Sequence, residues 1–149
     1  MEAVIFIGIQ GTGKSSFYWQ KFFNTHVRIN LDMLKTRHRF QLVLAACLQA
    51  GQPFVIDNTN VTKEVRAEFI AQSKAAGFRV VGYYFRSDIA SALARNSGRV
   101  GSARVPDVGV LGTYNKLEIP QRDEGFDDLY YVRIDPEGNF QVEEWANEV

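Results

Sequence analysis

Gly8-Ile9-Gln10-Gly11-Thr12-Gly13-Lys14-Ser15 has the residue types and spacing needed to hold a string of phosphates. It matches the pattern G-x-x-x-x-G-K-[ST] through Gly8, Gly13, Lys14 and Ser15. The apolar run Ala3-Val4-Ile5-Phe6-Ile7 leads into it, and a helical pattern leads out from Ser15 to about Asn24, the context that the pattern requires. Glycine admits backbone conformations closed to other residues, so successive N–H groups can turn inward onto phosphate oxygens. The helix that follows adds the positive end of its dipole. Lys14 can then reach the β- and γ-phosphates of ATP as a point charge, and the Ser15 hydroxyl suits Mg2+, a cation that prefers hard oxygen donors.

Further polar residues stand where strands of an open α/β sheet should end. Phe54-Val55-Ile56-Asp57 is an apolar strand closed by a carboxylate, at the edge where such sheets bind ligands. Asp57 either joins Ser15 on the magnesium and substrate side or caps the turn Asn58-Thr59-Asn60; both roles are compatible. Asp32 follows the strand Val27-Arg28-Ile29-Asn30 and opens a helix, so it is either a helix cap or a base that takes the proton of an attacking hydroxyl. Lys35, three residues on, is expected on the same helical face, where it binds a substrate phosphate or pairs with Asp32. Phosphoryl transfer draws extra cations over the nucleotide. Arg95 and Arg99, one helical turn apart, and Arg104 beyond a glycine supply them from a segment, Ser97 to Val105, that reads as a mobile basic lid.

Positioning these groups takes an α/β fold, because short apolar runs alternate with segments of helical period. Strands are expected at about Ala3 to Ile7, His26 to Asn30, Phe54 to Asp57, Arg79 to Phe85 and Tyr130 to Ile134. Helices are expected from Ser15 to about Asn24, from Asp32 to about Ala50, from a Thr62 cap to Gly77, and from Asp88 to about Asn96. Asp135-Pro136-Glu137-Gly138-Asn139 is dense in turn residues and predicts a terminal hairpin with Phe140 to Val142 as its second arm. The acidic tail Glu143 to Val149 reads as a solvated end.

Composition sets the outer bounds. The 149 residues suit one domain spanning 1–149, and 46% hydrophobic with 23% charged residues fits a globular chain rather than a disordered or membrane one. Basic and acidic residues, seventeen of each, cancel, so contact with a polyanion must rest on a local patch. The single cysteine, Cys47, lies in an apolar run and can form no internal disulfide; with no basic leader and no long apolar stretch, cytoplasmic residence without a membrane is expected. His26 and His38 have no metal-ligand spacing.

Taken in order, four blocks resemble the polynucleotide 5'-hydroxyl kinases and the wider P-loop kinase family around them. They are the loop Gly8 to Ser15; Ile29-Asn30-Leu31-Asp32; Val55-Ile56-Asp57-Asn58-Thr59-Asn60; and Arg95-Asn96-Ser97-Gly98-Arg99 followed by Val105-Pro106. Pro120 and Glu124-Gly125-Phe126 look like the end of the kinase domain in eukaryotic members. The resemblance spans about residues 3 to 134 and implies a P-loop three-layer sandwich with a mainly parallel sheet of about five strands and an arginine-bearing lid.

It further implies an ATP-dependent kinase in which Lys14, Asp32 and Arg99 act on the transferred phosphate, with Asp32 as the base. Gly8, Gly11, Thr12, Gly13, Lys14, Ser15 and Ser16 would hold the nucleotide, Arg95 would lie near the adenine, and Ser15 and Asp57 would face magnesium. The chain departs from the family at Lys35, where an arginine commonly grips the substrate's 3'-phosphate, since lysine lacks the planar two-point contact. No phosphatase or ligase domain is expected beside the kinase.

The acceptor implied first is the 5'-hydroxyl end of a nucleic acid, with Arg28, Lys35, Arg37, His38 and Arg39 as its cationic footprint. A small metabolite, nucleoside or nucleotide sugar is the alternative acceptor, favoured by the zero net charge and by Lys35. A nucleotide-binding switch or ATPase without an acceptor is the third reading, and in it Asp32 is dispensable.

Overall fold

Val4 and Phe6 point to one side of a strand and Ala3, Ile5 and Ile7 to the other, yet every one of them is fully buried. A strand apolar on both faces must lie inside a sheet covered on both sides. The computed structural model, which describes residues 1–146, places that strand, β1 (Glu2–Ile7), at the centre. The other strands are β2 (Val27–Ile29), β3 (Phe54–Ile56), β4 (Arg79–Phe85), β5 (Asp128–Ile134) and β6 (Phe140–Glu144). Their order is β2-β3-β1-β4-β5-β6, six strands where about five were expected. All neighbours run parallel except β5 and β6, the terminal hairpin. Asp135 shapes its turn by accepting from the N–H groups of Glu137 and Asn139 through Oδ1.

Helices α1 (Lys14–Lys21), α2 (Leu31–Leu34), α3 (Arg37–Ala50), α4 (Lys63–Ala75), α5 (Ile89–Ser97) and α6 (Asp107–Lys116) link the strands. Phe40, Leu44 and Cys47 of α3 pack with Phe69 and Ile70 of α4 on the Ala3, Ile5, Ile7 side, while Phe17 and Tyr18 of α1 cover Val4 and Phe6. That gives the three layers expected of a P-loop fold. A smaller cluster joins Ala92 of α5 and Val110 of α6 to Ile9 of the phosphate loop, so both helices are packed onto the loop itself. Among the described residues no helix is long and apolar enough to cross a membrane.

Departures from the expected elements have local causes. The helix expected from Asp32 to Ala50 is broken at Lys35, which takes φ 73°, and the chain restarts at Thr36, whose side chain accepts from the Arg39 N–H. An N-cap of that kind offsets the cost of starting a new helix. Helix α6 was not expected, since Gly109 and Gly112 weaken helix propensity; it forms around Val110, which is completely buried. The segment expected as a mobile lid is closed at its base by Asn96, whose buried side chain donates to the Val105 carbonyl and accepts from the Val105 N–H. At the C-terminal end β6 continues through Glu143 and Glu144 and Trp145 is 4% exposed, so the solvated tail does not begin at Glu143. The remainder of that tail, 147–149, lies outside the described residues.

Candidate functional site

The phosphate loop leaves β1 with its first glycine tied down: the Gly8 N–H donates to the Thr59 carbonyl, 3.0 Å away. Gly11 (φ 78°) and Gly13 (φ 93°) then adopt left-handed conformations that disfavour any side chain. A Cβ on Gly11 would lie 2.5 Å from the Ala92 carbonyl oxygen, and one on Gly13 would lie 2.9 Å from the Phe140 ring. Helix α5 and the terminal hairpin therefore press directly on the loop. Among the described residues the backbone N–H groups from Gln10 to Ser16 find no intramolecular acceptor. They form a concave row of free donors at a helix N-terminus, the arrangement that binds phosphate.

Lys14 is buried and folds back over the loop, its Nζ donating to the carbonyls of Gly8 (3.0 Å) and Ile9 (2.8 Å). Burial lowers its pKa from 10.5 to about 8; the Asp57 carboxylate works against that shift and Arg99 adds to it. The fold thus disfavours the charged lysine below pH about 8, and that penalty fades as pH rises from about 8 to 10.5, where only the unfolded chain still holds the proton. Phosphate oxygens favour the charged form, so ADP binding is expected to take up a proton above pH about 8. Affinity should then fall by up to about tenfold per pH unit. Calorimetric titration across this range reads the effect, and an affinity independent of pH would contradict it.

Across the loop, the Ser15 hydroxyl donates to Asp57 Oδ2 (3.2 Å), and Asp57 is 2% exposed at the end of β3. Arg28 of β2 donates to both, from Nε to Asp57 Oδ2 (2.8 Å) and from Nη2 to Ser15 Oγ (3.0 Å). The Asp57 carboxylate therefore faces Ser15 and Arg28 rather than the amides of the Asn58-Thr59-Asn60 turn. Hard oxygens from a serine and a carboxylate fit Mg2+, which uses few protein donors and fills its shell with water and nucleotide oxygens. No cluster of three or more His, Cys, Asp or Glu residues able to hold a metal exists among the described residues, so any ion here would need those outside donors.

Helix α2 is anchored beside this pair. Asn30 donates through its side chain to the Asp57 carbonyl and accepts from the Met33 N–H, while the Leu31 N–H donates to Asn58 Oδ1 (3.0 Å). Asp32 is thereby carried to the rim of a cleft of about 660 Å³ that also takes in Lys14, Ser15, Asp57, Arg37 and Arg99. Asp32 is exposed and forms no salt bridge among the described residues.

Not every expected residue meets there. Lys35 does not line the cleft: the left-handed bend takes it off the helical face of Asp32, and Arg37, at the start of α3, lines the cleft instead. Arg28 is engaged by Ser15 and Asp57, and Arg39 by the Leu34 carbonyl, so the expected cationic footprint is divided. Arg95 and Arg99 face different spaces. Arg95 Nη1 lies 3.5 Å from the Gly11 carbonyl, beside a recess of about 50 Å³ bordered by Thr12, Arg86, Asp88 and Arg133. Ser16 is exposed on α1, with its N–H in the free row.

Two supporting residues escaped sequence reasoning in this role. Arg66 of α4, with no exposure, donates to the Asn60 carbonyl (2.9 Å) and makes a two-point pair with Glu124 (2.8 and 3.1 Å). Asn60 in turn donates to the Phe6 carbonyl (2.7 Å), which links this pair to the strand that launches the loop.

Comparison with known proteins agrees with this architecture. A family model described as an AAA domain matches residues 4–113. The bifunctional polynucleotide phosphatase/kinase of Schizosaccharomyces pombe is 24% identical over 88% of this chain, and the match takes in 33% of that protein's length. The structure of Kti12 from Chaetomium thermophilum in complex with ADP-AlF3 is 14% identical, with a TM-score of 0.66 over 88% of each chain. A gluconokinase from Sinorhizobium meliloti is 15% identical, with a TM-score of 0.62 over 87% of this chain and 82% of the other. At such identities the two structures speak for the fold alone. With residues 4–113 of its 149 matched by the family model, the chain belongs to the AAA-domain family, and it has a P-loop kinase-like fold.

Proposed function

We propose that the chain is an ATP-dependent kinase that transfers the γ-phosphate to a hydroxyl acceptor, with the 5'-hydroxyl of a polynucleotide as the leading acceptor. The observation that carries this reading is a cleft whose lining brings Lys14, Ser15 and Asp57 together with Asp32, Arg37 and Arg99. In the proposed step the free N–H groups from Gln10 to Ser16 hold the ATP phosphates and Lys14 unfolds from the Gly8 and Ile9 carbonyls to reach the γ-phosphate. Mg2+ facing Ser15 and Asp57 would neutralise phosphate charge. Asp32 accepts the acceptor's hydroxyl proton as the oxygen bonds to phosphorus; the bond to the ADP oxygen breaks and its electron pair leaves with ADP. Arg99 stabilises the charge on the phosphoryl oxygens in transit. Gly11 and Thr12 shape the loop, and Arg95, beside the Gly11 carbonyl, marks the side of the loop on which the nucleoside end would lie.

The polynucleotide reading draws on the Schizosaccharomyces pombe relative and on Arg37, a planar donor at the cleft where Lys35 is absent. A small polar acceptor is the second reading. It is favoured by Glu68, Thr62 and Thr113 in the same lining, a mixture of acceptors and hydroxyls suited to a polyol. Offering γ-labelled ATP with a 5'-hydroxyl oligonucleotide alongside nucleosides, sugars and nucleotide sugars separates them. Label on the oligonucleotide is expected; label confined to a small acceptor would transfer the assignment to the second reading, and release of free phosphate alone would favour the ATPase.

A further inference from the structure

Arg28 stands where a cation is expected and is itself a cation. On β2, the edge strand, it is in register with Val55, two positions before Asp57 on the neighbouring strand, which brings its guanidinium across the end of β3. Its Nε and Nη2 contact Asp57 Oδ2 and Ser15 Oγ, the same oxygens that would face magnesium. A carboxylate as buried as Asp57 needs a counter-charge, and Arg28 supplies it. The Arg28 side chain remains 27% exposed, and its third contact, Nη1 to Met33 Sδ at 3.8 Å, is weak, so a path out toward solvent is open.

We propose that Arg28 is an exchangeable counter-ion: it holds Ser15 and Asp57 together while the site lacks metal and is displaced when Mg2+ arrives with the nucleotide. The inference rests on the magnesium reading of the preceding section. A dication and a guanidinium on the same oxygens repel each other, so occupancy by one opposes the other. Arg28 already touches Met33, the neighbour of Asp32, so its release on metal loading would free a positive charge beside α2.

The competing role, in which Arg28 simply supports the metal ligands, predicts the opposite sign, and titration of Mn2+ into the ADP complex followed by electron paramagnetic resonance distinguishes them. Arg28→Ala is expected to bind Mn2+ about fivefold more tightly than the wild type, and Arg28→Gln, which keeps the shape without the charge, should tighten it too. In EDTA, Arg28→Ala should melt below the wild type and gain more than the wild type on addition of Mg2+ and ADP. Equal or weaker Mn2+ binding by both folded variants would overturn the proposal. A wild-type ADP complex that binds no Mn2+ would remove the magnesium reading itself, and the proposal with it.

Discussion

Asp32→Asn is expected to slow phosphoryl transfer by about 10²- to 10⁴-fold, the usual contribution of a positioned general base, while ATP affinity stays within about twofold. Asparagine matches aspartate in size, so α2 should keep its anchors, which run through Asn30 and the Leu31 N–H rather than the Asp32 side chain. The phosphate loop lies on a separate element, and none of its contacts passes through Asp32. The loss should therefore appear in kcat, with binding of ATP unchanged. Near-normal transfer by Asp32→Asn would remove Asp32 as the base and favour a nucleotide-binding module without a dedicated acceptor.

The second large effect concerns stability. Glu124→Ala is expected to cost about 3–5 kcal/mol, because it strands the fully buried Arg66 guanidinium without its carboxylate. For a chain of this length that corresponds to a fall in Tm of about 10 °C or more. Replacing both members, Arg66→Met with Glu124→Leu, should recover much of the loss, since an apolar pair of similar volume avoids burying charge. Denaturant and thermal unfolding of the single and double variants would show this. A single variant as stable as the wild type would mean that water or another group satisfies Arg66. Because Arg66 also holds the Asn60 carbonyl, and the neighbouring Thr59 carbonyl receives the Gly8 N–H, the variant should weaken nucleotide binding as well.

Much of this was legible in the chain because its signals are local. The loop pattern between a strand and a helix, the apolar runs that became β1, β3 and β4, and the Thr62 cap of α4 each depend on residues close in sequence. What was missed depends on tertiary contacts or on competition between local signals. Lys35 was expected on a continuous helix, yet Thr36 caps a new one and turns Lys35 away, so Arg37 takes the place at the cleft. Helix α6 runs against the propensity of its two glycines and exists because Val110 has a site to fill between Ile9 and Ala92. The Arg66–Glu124 pair joins residues 58 positions apart, and neither residue by itself announces a partner. Arg28 reads in sequence as a surface cation for a polyanion; only the register of β2 on β3 shows it turned onto Asp57.

Transfer of the γ-phosphate of ATP to an alcohol in this cleft can be followed through the fate of that phosphorus, in a 31P NMR spectrum of the protein with Mg·ATP and a 5'-hydroxyl oligonucleotide. A new phosphomonoester resonance that grows with ADP and requires the oligonucleotide is expected. ADP accompanied by inorganic phosphate alone, or ATP left intact with every hydroxyl acceptor offered, would contradict it.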